Sequence, residues 1–169
     1  PEIQHLISSG LEQNQVIISQ TTGEETRTLV SCGQDVSDQK IIIVDLETLT
    51  PCVADQVGEI WVSGPSVAIG YWNNPSETEL TFNARLSNSG KGPFMRTGDL
   101  GFLYEGELYI TGRLKDLIIS DGNNHYPNDI EKTVENSHTS IRPAGCAAFS
   151  VNNGVGERLI VIAEIDHLP

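Results

Sequence analysis

The stretch from Arg96 to Glu131, RTGDLGFLYEGELYITGRLKDLIISDGNNHYPNDIE, leaves this chain few ways to fold. Two apolar runs of β type flank Glu105-Gly106, a two-residue connection suited to a tight antiparallel hairpin. Closing the pair at that turn sets Tyr104 opposite Glu107, Leu103 opposite Leu108, Phe102 opposite Tyr109 and Asp99 opposite Gly112. A carboxylate (Asp99) and a guanidinium (Arg113) therefore meet at the open end, about one cross-strand spacing apart. Strict alternation sends them to opposite faces, whereas Gly98, Gly101 and Gly112 give the backbone room to bend there.

The rest of the chain is read around that hairpin. Residues 1–15 show little pattern and predict a loop with one short helical turn. Val16–Ser19 and Arg27–Cys32 read as strands around a polar tip containing Gly23. Lys40–Asp45 is a continuous apolar run, hence a strand buried on both faces, and Val57–Ser63 is a further strand. Ser76 with Glu79 three residues on gives a capping-box pattern for a short helix ending near Phe82. Trp61, Tyr71 and Trp72 are expected in the core and at packing contacts. Beyond Arg113, Leu117–Ser120 predicts a strand, Asp121–Asn124 a turn and Pro127–Ser137 a helix. Pro127 suits the first helical turn, Asp129 and Glu131 suit its positive end, and Ile130 with Val134 forms an apolar i, i+4 pair. Strands at Gly145–Val151 and Arg158–Ile165 complete a β-β-α-β-β unit. His125, beside Tyr126-Pro127, is expected to be packed structure and not a catalytic base.

The 169 residues carry a formal charge of −13, which argues against nucleic acid or an anionic membrane as a partner while leaving room for a small anionic ligand. No apolar run approaches the roughly 18 residues of a spanning helix. Cys32, Cys52 and Cys146 are odd in number, widely spaced and without a C-x-x-C, as expected of reduced thiols in a cytoplasmic protein.

Several of these runs form an ordered set. Thr97-Gly98-Asp99 followed by Thr111-Gly112-Arg113-Leu114-Lys115-Asp116 resembles the paired signatures of the adenylate-forming superfamily of acyl-CoA synthetases, luciferases and peptide-synthetase adenylation domains. Val57–Ala68 with Gly70-Tyr71-Trp72 is similar to a β segment of the same group. Leu29–Gly33, Asn124–Glu131 and Ala147–Ser150 resemble the fatty acyl-AMP ligases in particular, and the match spans nearly the whole chain.

That resemblance implies an α+β, mostly β fold: a distorted antiparallel β-barrel-like subdomain, a hinge, and the β-β-α-β-β start of a small α+β domain. Residues 1–112 would be the last subdomain of a large N-terminal adenylating domain, with 1–28 in the ligase-specific insertion region. Residues 113–116 would be the hinge, and 117–169 an incomplete mobile C-terminal domain. The Gly/Ser/Thr-rich phosphate loop, the acyl pocket and the late catalytic lysine would lie elsewhere in a longer enzyme, so no catalytic set is complete here.

The resemblance assigns nucleotide binding to Asp99 and Arg113, the hinge to Lys115 and passage of a phosphopantetheine arm to Gly122. It implies ATP and Mg²⁺ as cofactors, and a fatty acid and an acyl carrier protein as partners. The chemistry suits the residue types. One ionised carboxylate can accept hydrogen bonds from both hydroxyls of a ribose, and a guanidinium fork can reach ribose or phosphate oxygens in a fixed plane. An unbranched exposed lysine tolerates a large backbone change, and a glycine lets a ligand approach the main chain. Asn123 departs from the basic residue usual before Asn124. An acyl-CoA ligase or amino-acid adenylation domain is the nearest alternative, and a non-enzymatic β-rich binding module is the alternative from another class.

Overall fold

The computed structural model describes residues 2–23, 25–36, 38–120, 122–152, 154 and 157–166. The chain divides into two units, Pro1–Leu114 and Lys115–Pro169. The first contains β1 (Ile3–Ile7), α1 (Ser8–Leu11), β2 (Thr26–Val30), β3 (Lys40–Val44), β4 (Gly58–Ser63), α2 (Pro75–Phe82), β5 (Met95–Tyr104) and β6 (Glu107–Arg113). A 3₁₀ turn, Leu114–Asp116, leads to β7 (Ile118–Ser120), β8 (Asn123–His125), α3 (Pro127–Ser137), β9 (Ile141–Asn152) and β10 (Glu157–Ile165).

In the first unit β3, β4, β5 and β6 form an antiparallel sheet in that order, and β1 pairs with β2 separately. The mostly β architecture with few helices is as expected. The barrel-like closure is not: among the described residues the four-stranded sheet stays open, with β3 at one edge and β6 at the other. The outer edge of β6 is covered in part by chain, since Cys32 donates its N–H to the Leu108 carbonyl at 2.8 Å and Leu108 donates to Gly33 at 2.8 Å. Such cover removes unpaired edge groups without closing the sheet.

The hairpin turn forms as expected. Glu105 (φ 51°) and Gly106 (φ 83°) both adopt positive φ, matching the twist of the flanking strands. Phe102 and Tyr109 face each other and stack, with centroids 5.2 Å apart. Val44, Trp61, Leu86 and Phe94 form a buried cluster, with Ile42, Leu49 and Ala84 packed against it.

Several local expectations change. Residues 3–7 form β1, where a loop was expected, and β2 pairs with β1 and not with 16–19. The segment 16–19 runs along the other edge of β1, with Ile7 donating to Ile17 at 2.9 Å and Ser19 donating to His5 at 2.7 Å. The buried Leu6 at its centre outweighs the polar Gln4 and His5, whose ring bonds Thr28 across the pair. β3 is an edge strand, so only Ile43 and Val44 in it are fully buried. The cap of α2 is Asn74, whose side chain accepts from the Glu77 N–H at 3.2 Å, because Pro75 occupies the first helical position. Tyr71 and Trp72 are exposed, Trp72 almost completely, whereas Trp61 is fully buried.

In the second unit β7 pairs with β8, and Asn123 and Asn124, expected in a turn, belong to β8; Asp121, where that turn was expected to begin, lies outside the described residues. β9 and β10 form a long antiparallel ribbon, and α3 packs mainly on β9. Glu131 does not serve the helix terminus; its carboxylate accepts the Ala148 N–H of β9 at 2.9 Å. Among the described residues no helix is long and apolar enough to cross a membrane.

A Cβ at Gly101 would sit 2.4 Å from the Tyr109 carbonyl oxygen and 2.9 Å from Ile60 Cδ1. Gly101→Ala should therefore destabilise the protein by about 1–3 kcal/mol, read as a lowered urea midpoint. The three cysteines are free, with Cys32 exposed. Burial, followed by the negative charge of Asp45, pushes the Cys52 thiol up to about 11. At pH 8 Cys52 should react with a thiol reagent at least roughly tenfold more slowly than Cys32, as quantified by mass spectrometry.

Candidate functional site

Two irregularities, one in each strand pairing of β5, build the open end of the hairpin. Between β4 and β5 the register runs Glu59↔Leu100 and then Trp61↔Arg96. Ile60 thus spans three residues, Thr97, Gly98 and Asp99, and the ladder loops outward there. Gly98 takes φ +72°, a conformation that favours glycine. The loop is fastened at each residue. Thr97 donates its hydroxyl to the Ile60 carbonyl at 2.8 Å and accepts the Asp99 N–H at 3.0 Å. Gly98 donates its N–H to Glu59 Oε1 at 3.2 Å.

Glu59 is buried, 2% exposed, on a strand among apolar residues. Its Oε2 accepts from Trp61 Nε1 at 2.9 Å and from Arg96 Nε at 2.9 Å, and Arg96 Nη2 lies 2.7 Å away. The Arg96 guanidinium also lies over the Trp61 ring, 5.7 Å from its centroid. A buried carboxylate is tolerable when its oxygens are this fully engaged by donors and a cation.

The second irregularity lies between β5 and β6, where Gly101↔Ile110 is followed by Leu100↔Gly112. Thr111 is the extra residue. Asp99 therefore faces Arg113 directly, one position on from the expected Gly112, and the bulge explains how both side chains reach the same face. Arg113 Nε donates to Asp99 Oδ1 at 3.1 Å, with the two side chains 53% and 35% exposed. An exposed pair of this kind adds little stability. Among the described residues no other bond engages Asp99 Oδ2 or the two Nη groups of Arg113. The pair thus shows a carboxylate oxygen and a guanidinium fork to an incoming ligand.

The bulge is held from outside. Arg27 Nη2 donates to the Thr111 carbonyl at 2.6 Å, and the Ser31 hydroxyl donates to Glu107 at the other end of β6. The Thr111 side chain points inward, 1% exposed, and among the described residues its hydroxyl has no partner.

The structure thus brings Asp99 and Arg113 together. Lys115 lies in the 3₁₀ turn at the start of the second unit and is exposed. Gly122 takes φ +80° between β7 and β8 with open space where a Cβ would point, so its turn alone accounts for a glycine. His125 is half-buried in β8, opposite Ile118. Sequence reasoning missed Glu59 and Thr111. A charged residue at the head of an apolar strand, Gly58-Glu59-Ile60-Trp61, was the available signal for the first. Among the described residues no three His, Cys, Asp or Glu side chains gather as a metal site.

The AMP-binding enzyme family matches residues 12–72, and the AMP domain of the Disco-interacting protein 2-like family matches residues 115–167. The medium-chain-fatty-acid–[acyl-carrier-protein] ligase JamA of Moorena producens is 53% identical over 163 residues, 95% of this chain and 28% of JamA. The 4-hydroxyphenylalkanoate adenylyltransferase of Mycobacterium marinum is 49% identical over 80% of this chain and 22% of its own length. A structure from work on the fatty acyl-adenylate ligases of E. coli and L. pneumophila matches 98% of this chain and 28% of its own, with TM-score 0.77 and 30% identity. The L. pneumophila fatty acyl-adenylate ligase in complex with acyl adenylate and pyrophosphate matches at TM-score 0.63 and 41% identity, over 98% of this chain and 29% of its own. The chain belongs to the AMP-binding, adenylate-forming enzymes and, within them, to the fatty acyl-AMP ligases. It spans about a quarter of the length of the relatives it matches.

The unpartnered Thr111 hydroxyl gives a direct test of the bulge. Thr111→Val keeps the β-branched shape and removes a buried polar atom with no partner. Stability should hold or rise by up to about 1 kcal/mol in urea unfolding; a loss larger than that would show the hydroxyl to be bonded in solution.

Proposed function

We propose that the protein containing this chain activates a fatty acid with ATP and passes the acyl group to the phosphopantetheine thiol of an acyl carrier protein. A fatty acid carboxylate oxygen would attack the α-phosphorus, the bond to the β-phosphate would break, and pyrophosphate would leave. The carrier thiol, its proton lost to base, would then attack the acyl carbon and expel AMP. The observation that carries this is the Asp99–Arg113 pair, fixed by one bond and showing its remaining oxygen and nitrogens outward.

Within that reaction Asp99 would accept hydrogen bonds from the ribose hydroxyls, and Arg113 would donate to ribose or α-phosphate oxygens. Holding the nucleotide in one orientation lowers the entropic part of the barrier. A cation beside the α-phosphate stabilises charge that grows as the bond breaks. Mg²⁺ would accompany the ATP phosphates, but the described residues offer no metal cluster, and no ligand is assigned to it from this chain. Lys115, the first residue of the second unit, would be the pivot between adenylation and transfer. Residues up to Gly112 would be the end of the adenylating domain and those after Asp116 the mobile domain, with Gly122 beside the phosphopantetheine arm. The carrier protein as acceptor is supported by the names of JamA and of TtuA from Teredinibacter turnerae, another medium-chain-fatty-acid–[acyl-carrier-protein] ligase, 38% identical over 98% of this chain. A cytoplasmic location suits such an enzyme.

In the full-length protein Asp99→Ala should lower kcat/KM for ATP in fatty-acid-dependent ATP–pyrophosphate exchange at least tenfold, chiefly through KM, because the ribose is held before and during the reaction. Unchanged exchange would reject the nucleotide role and favour a non-enzymatic module. Efficient thioester formation with free CoA, and none with holo-carrier protein, would replace the carrier by CoA as acceptor.

A further inference from the structure

We propose that Glu59 is a positioning residue for the nucleotide carboxylate, and that it sets the enzyme's selectivity for an intact ribose without touching the nucleotide. The proposal rests on the ribose role of Asp99 given above. Three observations carry it. Glu59 is buried, and both of its oxygens are engaged: Oε2 accepts from Trp61 Nε1 and the Arg96 guanidinium, and Oε1 accepts from the Gly98 N–H at 3.2 Å and from Arg96 Nε at 3.3 Å. The residue it holds, Gly98, is the apex of the outward loop, in a backbone conformation that few other residues adopt. Asp99, the next residue, is fastened by the Thr97 hydroxyl to the Ile60 carbonyl, so the carboxylate that faces solvent hangs from two anchors in β4.

The asymmetry between the two carboxylates is informative. Four donor atoms contact Glu59, which is closed to solvent, whereas Asp99 has, among the described residues, a single side-chain partner and is 35% exposed. The buried one stays anchored by neutral and cationic donors from its own strand and from the neighbouring β5. The exposed one keeps an oxygen free only because its backbone is already fixed. A carboxylate on a slack loop could bond one ribose hydroxyl or its own neighbours, whereas both hydroxyls of a vicinal diol demand one orientation.

Glu59→Gln replaces one accepting oxygen by an NH₂ that confronts the donors of Trp61 and Arg96, so the side chain can no longer serve Gly98 and that pair together. The test compares ATP with 2′-deoxy-ATP and 3′-deoxy-ATP in fatty-acid-dependent pyrophosphate exchange, using the full-length protein and its Asp99→Asn, Glu59→Gln and Thr97→Val variants. The expected result is a ratio of kcat/KM for ATP over the deoxy analogues that falls towards one in all three variants, with KM for ATP raised about tenfold in Glu59→Gln. A purely structural role lowers the amount of active enzyme and leaves that ratio unchanged. If Asp99→Asn loses the discrimination while Glu59→Gln and Thr97→Val keep it, the positioning role is overturned and the ribose role stands. If Asp99→Asn keeps it, the ribose role fails and the positioning role fails with it. Should Glu59→Gln not fold, Thr97→Val decides, since it removes one anchor without disturbing the buried charge.

Discussion

A carboxylate enclosed in a sheet must satisfy both oxygens or be expelled, and Glu59 satisfies them by drawing Trp61, Arg96 and the Gly98 N–H to itself. Trp61 comes from its own strand and the other two from the next, so the bond set fixes β4 against β5 where their ladder is broken. Three residues of β5 then have one opposite them, and the surplus turns outward as Thr97-Gly98-Asp99. The exposed acid follows from the buried one. Replacing Glu59 by an apolar residue would leave Arg96 with no counter-charge and the loop with one anchor, a change of the kind that costs far more than any exposed ion pair contributes.

The second bulge completes the arrangement. Had β6 continued in the register set by the turn, Asp99 would face Gly112 and the guanidinium would point to the other side of the sheet. Thr111 adds one residue, and side-chain direction flips with it. The flip exposes a backbone carbonyl on the outer edge, which Arg27 takes at 2.6 Å, and Ser31 and residues 32–33 bind the same edge further along. The segment before and around Leu29–Gly33 thereby braces β6, the strand that ends in Arg113. One end of the hairpin is regular, with paired aromatic and aliphatic side chains; the other is built from departures, and those departures set Asp99 against Arg113.

Much of this was legible in the residues. The two-residue turn, the strands on either side, α3 with Pro127 at its start and the β-β-α-β-β order all follow from local preferences, and local preferences are what a sequence displays. The Asp99–Arg113 encounter was legible too, because glycines clustered at the open end. Its register was not, since a bulge depends on which strand the far edge meets. β1 was hidden for a related reason: Gln4 and His5 look like loop residues until Thr28 and the segment 16–19 close on either side. Glu59 was not singled out because two of its partners, Arg96 and Gly98, lie 37 and 39 residues away. Membership of the fatty acyl-AMP ligases came from ordered motifs, and the relatives bear it out over nearly the whole chain.

The central claim is that the Asp99–Arg113 pair is a ribose clamp presented by a buried carboxylate. A crystal structure of the full-length protein with a stable acyl-adenylate analogue tests it most directly. The account predicts both ribose hydroxyls at about 2.6–3.0 Å from the Asp99 carboxylate, Arg113 within hydrogen-bond reach of a ribose or α-phosphate oxygen, and Glu59 still bonded to Gly98. An adenylate bound elsewhere, with the Asp99–Arg113 pair still facing solvent, would contradict it.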